Sequence, residues 1–290
     1  MIVVIGSSGQ LAWEIKRLAP QSVCLGRDKI NLEDVASLEQ QLQEYRPKAI
    51  INASAYTAVD KAESDLDAAY QLNAKAVAHL AKYCEENACH LVHVSTDYVF
   101  PGDKGSPYLP DEPLKPIGVY GQSKAEGEKY VQSLQTKGCI IRTSWVYSEH
   151  GNNFVKSMLH LMSNRDSLGI VSDQIGSPTW AKTLAKACIE AANNEYSGVY
   201  HWTDLGVASW YDFAQAVYEF GCELDLLQGG VDINPIRTED YPTPAKRPKY
   251  SVLEKHDTQK EFKETQMQYW RKQLKQMLIE LKENELNAGK

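Results

Sequence analysis

The feature that most constrains this chain lies in its first twelve residues. A continuous apolar run, Ile2-Val3-Val4-Ile5, meets Gly6-Ser7-Ser8-Gly9-Gln10-Leu11-Ala12 with nothing in between. Such a run marks a strand covered on both faces. Leu11, Ile15 and Leu18 then recur at helical spacing. The G-x-x-G-x-x-A turn lets the backbone bend sharply and approach a ligand, while the small third residue lets helix and strand pack. A helix start also offers unpaired N–H groups and a positive dipole end, which suit a pyrophosphate. With 18 glycines in the chain such a pattern arises easily by chance. Its position between first strand and first helix gives it weight, and makes Gly6, Ser8, Gly9, Gln10 and Leu11 candidate cofactor residues.

The same rhythm continues. Ser22 to Leu25, Ala49 to Ile51, Leu91 to Ser95 and Cys139 to Ile141 read as strands. Between them Val35 to Tyr45, about Asp65 to Asn87 and Tyr120 to about Gln135 read as helices. Strand–helix alternation implies right-handed crossovers and an α/β fold with a doubly wound parallel sheet. After Trp145 the pattern loosens. Val199 to Trp202 reads as one more strand, and Thr179 to Asn193 and Trp210 to Phe220 as helices. Gly229 to Pro248, with four prolines, reads as ordered loop. Trp270, Leu274, Met277, Leu278 and Leu281 form the apolar stripe of a tail helix, either docked on the body or lying on a membrane surface; docking is favoured because acidic residues are mixed among its lysines. We expect residues 1–147 plus about 170–203 to form a dinucleotide-binding Rossmann domain, and about 148–169 plus 204–290 a smaller C-terminal substrate-binding domain.

Composition removes other classes. A net charge of −7 argues against nucleic-acid and anionic-membrane partners, which need a clustered basic surface. No apolar run reaches the roughly 18 to 20 residues that span a bilayer. The chain's opening lacks the basic start of a signal peptide, so a cytoplasmic setting is expected. The six cysteines (Cys24, Cys84, Cys89, Cys139, Cys188 and Cys222) have neither C-x-x-C spacing nor histidines at ligand spacing, so free thiols and no metal site are expected.

Past the second strand, Gly26-Arg27-Asp28 offers both signs of charge. An acid there suits the ribose hydroxyl of NADH, an arginine the 2′-phosphate of NADPH. Arg27 tilts the reading slightly to NADPH, with a solvated surface charge as its rival; Asn31 and Leu32 could sit beside the adenine. Tyr120 and Lys124, at i and i+4, form the single Tyr-x-x-x-Lys among 16 tyrosines. A nearby ammonium favours phenolate and brings the phenol closer to useful acid–base range; Lys124 could also hold the nicotinamide ribose. Taken alone, such a pair is more often just two surface residues. Thr96 ends the fourth strand, where sites of open α/β sheets form, and its hydroxyl could donate to a substrate carbonyl. Asp97 could hold a sugar hydroxyl or cap the loop that follows.

These residues resemble the extended short-chain dehydrogenase/reductase superfamily, and more narrowly the dTDP-4-dehydrorhamnose reductase family. The resemblance runs through Ile51 to Glu63, Ser95 to Phe100, Tyr120 to Gly127, Arg142 to Tyr147, Gly151 to Phe154, Asp173 to Thr179 and Lys246 to Pro248. It implies that Ala53, Ser54, Ala55 and Tyr56 lie on the cofactor side and that Thr96, Tyr120 and Lys124 form the catalytic triad. It also implies that Trp145 stacks beside the sugar or thymine, and that Asn153, Gln174 and Arg247 touch the nucleotide diphosphate or sugar. Ala12 replaces a frequent third glycine, and Asn31 stands where many relatives carry Asp. The implied reaction is NAD(P)H-dependent reduction of the C4 ketone of dTDP-4-dehydro-L-rhamnose, a small-molecule nucleotide sugar, by a chain that could dimerise. Some relatives are associated with Mg²⁺ at a subunit contact; Glu14 is the one hint of this here, and a surface helix glutamate would explain it equally. The competing readings are another nucleotide-sugar reductase or epimerase, and a non-catalytic NADP-binding subunit like the regulatory one of methionine adenosyltransferase.

Overall fold

Five apolar segments and a sixth nearer the C-terminus line up as one parallel sheet in the computed structural model, which describes residues 1–135 and 138–288. The strands are β1 (Ile2–Ile5), β2 (Val23–Leu25), β3 (Ala49–Asn52), β4 (His90–Thr96), β5 (Cys139–Thr143) and, tenth along the chain, β10 (Gly198–His201). Their spatial order is β10-β5-β4-β3-β1-β2. Alternate residues of every strand feed two different cores. Val4, Ile51, Val92 and Ile141 face α1 (Gln10–Leu18) and α8 (Ala181–Asn193). Val3, Ile5, Ile50, Leu91 and Ile140 face α2 (Val35–Tyr45), α5 (Ala76–Glu86) and α6 (Val119–Gln132). The sheet is doubly wound, as its sequence rhythm implies.

The expected long helix from Asp65 to Asn87 is interrupted. Its first turns, α4 (Leu66–Tyr70), pass into a π-helical turn at Gln71–Lys75 before α5 begins, and α3 (Val59–Ala62) precedes it. Single π turns inside helices often sit at functional sites.

A third apolar core is built from α7 (Phe154–Met162), α9 (Trp210–Glu223) and α11 (Trp270–Ala288), with β7 (Ser167–Val171) and the buried rings of Tyr147 and Trp180. The short strands are β6 (Val146–Tyr147), β8 (Ile175–Gly176), β9 (Thr179–Trp180), β11 (Ala208–Ser209) and β12 (Asp232–Ile236), with α10 (His256–Glu261) near the end. The stretch expected to be loop between Gly229 and Pro248 therefore contains a strand: β12 pairs with β7 in parallel, Pro235 included. Pro is tolerated because this two-stranded ribbon leaves one edge of β12 free of a ladder. Helix α8 starts at Ala181 rather than Thr179, because Thr179 and Trp180 pair with β6. The tail helix is docked as expected, with Leu274, Met277 and Leu278 fully buried. No helix among the described residues is long and apolar enough to cross a membrane, and all six cysteines are free.

Candidate active site

Where β1, β2 and β3 end, their loops enclose a cleft of about 510 Å³. It is lined by Gly6, Ser8, Gly9, Arg27, Asn31 and Leu32 together with Ala53 to Tyr56. Gly6 has φ of +113°, which a side chain rarely adopts, and a Cβ there would sit 3.5 Å from the Ala53 carbonyl. Gly9 caps α1 with no side-chain partner for the helix N–H groups, and a Cβ on it would meet nothing within 4 Å. The cleft thus presents an open helix start bordered by backbone, the shape a pyrophosphate needs. Arg27 lines it and makes no ion pair among the described residues. Asp28 does not line it; its carboxylate turns back towards Gly26. Two expected cofactor residues sit otherwise. The Leu11 side chain belongs to the core, and the Gln10 side-chain oxygen accepts from Asn153 Nδ2 at 3.0 Å. Both remain in the first turn of α1.

The acid–base candidates gather at the end of β4. Gly118 caps α6, whose first N–H is met by Glu63: the Val119 N–H donates to its Oε1 at 2.9 Å. Gly121 lets α6 lie against the Tyr98 carbonyl, where a Cβ would come within 2.1 Å. Asn73, in the π turn, donates to Ser123 Oγ (3.0 Å) and the Tyr56 carbonyl (3.1 Å), and accepts from the Tyr56 N–H (2.8 Å). One amide thereby ties the cleft loop to the helix carrying Tyr120 and Lys124. Thr96 Oγ1 donates to Asp97 Oδ1 at 3.0 Å and accepts from the Tyr98 N–H at 3.2 Å. Burial pushes the Asp97 carboxyl up to about 6.

The Tyr120 phenol departs from expectation. Loss of solvent pushes its pKa up to about 12; a hydrogen bond with Thr96 opposes that, and the Asp97 charge adds to it. Lys124 takes no part, because its side-chain nitrogen points elsewhere: Nζ lies 2.6 Å from the Val94 carbonyl and 3.3 Å from His93 Nε2. Burial lowers the lysine to about 8. In this state the lysine does not acidify the phenol.

A second cavity of about 500 Å³ opens among α7, β7 and the segment after β12. Gln174 and Arg247 line it, as do Trp210, Arg165 and Tyr241. Trp145 stacks on Trp210 with ring centres 3.6 Å apart, its backbone at φ +49° and its indole packed where any Gly176 side chain would stand. Gln174 is held by Trp210 Nε1 and Thr238, and Arg247 pairs with both oxygens of Asp60 at 2.7 and 3.0 Å. Asn153 does not reach this cavity; it caps α7 and donates to Gln10 and the Ser148 carbonyl. Aromatic rings lie between elements of the two cavities. Tyr56, in the cleft, and Tyr120 pack against one small apolar cluster, Tyr120 meets Tyr98 edge-on at 5.5 Å, and the Arg247 charge acts on Tyr98.

Glu14 is not a surface residue. It is fully buried beside Glu149, and that burial and neighbour raise its pKa to about 7. Arg17 occupies the centre of the cluster, 2.9 Å from Glu14 and 3.3 Å from both Glu149 and Glu280. A guanidinium already neutralises these carboxylates, so the set does not fit Mg²⁺.

A family described as "RmlD substrate binding domain" matches residues 1–283. The dTDP-4-dehydrorhamnose reductase of Aggregatibacter actinomycetemcomitans is 39% identical over 276 residues, 90% of this chain and 92% of that one. The enzyme of the same name from Escherichia coli K12 is 39% identical over 97% of both chains. This chain belongs to the dTDP-4-dehydrorhamnose reductase family. A crystal structure of the Bacillus anthracis family member in complex with NADP superposes with a TM-score of 0.90, at 34% identity over 96% of this chain and 98% of that one. Against the reductase family's sequence motifs, three side chains escaped sequence reasoning. Trp210 carries no motif, and its pairing with Trp145 is 65 residues distant. Asn73 is one polar residue on a helix whose periodicity hides the π turn. His93 looked like a strand residue in an apolar run.

Proposed function

We propose that this chain is an NADPH-dependent oxidoreductase that reduces the C4 ketone of dTDP-4-dehydro-L-rhamnose to dTDP-L-rhamnose. One observation carries the reading: Tyr120 shares a small apolar cluster with Tyr56 of the glycine-turn cleft and meets Tyr98, on which the charge of Arg247 of the Trp210 cavity acts, so Thr96 and Tyr120 are read as lying between the two cavities. The first cavity suits a dinucleotide and the second a nucleotide sugar, whose rings stack on indole and whose diphosphate pairs with Arg247 and Arg165. We assign residues 1–147 plus about 170–203 to the first role and about 148–169 plus 204–290 to the second. Arg27, uncompensated in the cleft, favours the 2′-phosphate of NADPH.

When bound, the reduced nicotinamide supplies the hydride that the ketone carbon accepts. Tyr120 gives its phenolic proton to the ketone oxygen. With a pKa pushed up to about 12 it is protonated throughout the neutral range, as a donor must be. Thr96 holds the same oxygen once its single hydroxyl proton turns from Asp97 Oδ1, to which it donates in the free protein, to the ketone. Lys124 returns a proton to the phenolate. An intact tyrosine, threonine and lysine favour an enzyme over a regulatory binding subunit.

Replacing Tyr120 by Phe removes the donor alone. Turnover of the purified 4-keto sugar nucleotide should fall by about 100- to 10,000-fold, with NADPH binding by fluorescence titration unchanged. Near-normal turnover would mean the proton comes from elsewhere.

A further inference from the structure

The buried contact between Lys124 and His93 has a direction that hydrogen-bond inventory settles. His93 is fully buried on β4, its Nδ1 3.1 Å from Asn52 Nδ2 and its Nε2 3.3 Å from Lys124 Nζ. The Asn52 amide cannot be turned round. Its Oδ1 already accepts from the Ser54 N–H at 3.2 Å and the Ser54 hydroxyl at 2.7 Å, so its NH₂ must face the imidazole. His93 Nδ1 is then an acceptor, and the ring proton of the neutral imidazole sits on Nε2. That N–H points at Lys124. An ammonium has only donors and cannot receive it, whereas an amine can accept from His93 and still donate to the Val94 carbonyl 2.6 Å away.

We propose that Ser54, Asn52 and His93 are positioning residues that hold Lys124 inward as a neutral amine, so that the lysine turns towards Tyr120 only when it takes up a proton. The inference rests on Lys124 serving Tyr120, as set out above. The groups facing the lysine are few. Among the described residues they are His93 on β4 and Glu128 on its own helix. Glu128 is held by Arg142 of β5 at 2.7 Å, which limits its pull on Lys124. Burial lowers the pKa of Lys124 to about 8, so the inward amine gains population as pH rises through that value, while burial and then the Lys124 charge hold His93 neutral, well below the ordinary histidine value. The lack of any lysine influence on the Tyr120 phenol fits the inward position.

The first test needs no turnover. Long-range ¹H–¹⁵N correlation spectra of the free protein should give His93 as the neutral Nε2–H tautomer from about pH 6 to 9, a span around the ordinary histidine value. An Nδ1–H tautomer or an imidazolium would overturn the proposal. The second follows the Lys124 Cε resonance in lysine-labelled protein, assigned through Lys124→Arg. It should titrate about one unit or more below the ordinary lysine value, and His93→Leu should raise that midpoint by about one unit, tenfold in proton affinity. A merely structural histidine would change the melting temperature and leave the midpoint in place, and that result also overturns the proposal. If His93→Leu does not fold, the wild-type tautomer decides. Near-normal turnover in Lys124→Met would sink the catalytic assignment of the lysine while leaving the tautomer measurement untouched, so the two failures are separable.

Discussion

The two cavities differ in how the chain builds them. The glycine-turn cleft is lined from within four short stretches: residues 5 to 9, 25 to 33, 53 to 56 and 68 to 72. Each stretch follows a strand of the main sheet or lies in the helix packed beside them. The Trp210 cavity draws on α7, β7, the Gln174 loop, α9 and the segment from Tyr241 to Arg247. Its walls come from elements that acquire their shape only by packing on one another. The first cavity is a property of strand ends in a sheet of this type; the second depends on how the later elements of this chain pack, and under the proposed function it takes the nucleotide sugar. Substitutions should therefore separate the two ligands cleanly.

The largest separation is expected at Gly6. Valine there must adopt a φ near +113°, which costs about 1–3 kcal/mol in a folded protein. NADPH affinity should drop about 10- to 100-fold, while titration with dTDP, a probe of the second cavity, should be unaltered. Equal loss of both ligands would mean the cavities are not independent. At Arg247, replacement by Met should raise the KM for the nucleotide sugar about tenfold through one lost charge-assisted hydrogen bond, leaving the NADPH dissociation constant unchanged. An unchanged KM would confine Arg247 to its pairing with Asp60. Arg27→Ala should lower the preference for NADPH over NADH by several-fold to about tenfold, measured as the ratio of kcat/KM values; an unaltered ratio would leave Arg27 a surface charge.

The smallest effect concerns the seam that joins the regions, where Glu14 of α1 meets Glu149 and, through Arg17, Glu280 of α11. The fold raises Glu14 from 4.5 to about 7. Between those values the folded chain keeps a proton that the unfolded chain has released, so stability falls as pH rises through that window. Glu14→Gln removes this dependence. It should raise stability at pH 8 relative to pH 5 by about 1 kcal/mol after allowing for screening by the partly exposed Arg17, read as the difference between melting curves. A uniform shift at both pH values would assign Glu14 to packing alone.

What could be read from the sequence follows the same division. The strands of the main sheet were legible because each is an apolar run bounded by turn residues, and burial on both faces leaves little room for another reading. The glycine turn, Arg27 and Ala53 to Tyr56 were legible because contiguous residues end together on one cleft. Helix α7 and strands β7 and β12 were not. β7 is short, with exposed Ser167 and Gly169 alternating with buried neighbours, and β12 contains Pro235. The inward set of Lys124 was hidden for a different reason. Tyr-x-x-x-Lys spacing shows that two side chains share a helix face, but not that a carbonyl and an imidazole on β4 claim the lysine nitrogen first. Asn153 was misplaced for a similar reason: its sequence neighbours belong to the second cavity, whereas its amide turns back to Gln10 and the first helix.

The account turns on a ketone meeting a hydride donor and the Tyr120 phenol at one point between the cavities. Incubation of the protein with dTDP-4-dehydro-L-rhamnose and NADPH deuterated at the transferable position of C4, followed by proton NMR of the purified product, tests this directly. The account predicts dTDP-L-rhamnose carrying deuterium at the sugar C4, with one cofactor oxidised per sugar reduced. Protium at that carbon, the opposite C4 configuration, or unreacted ketone beside intact cofactor would contradict it.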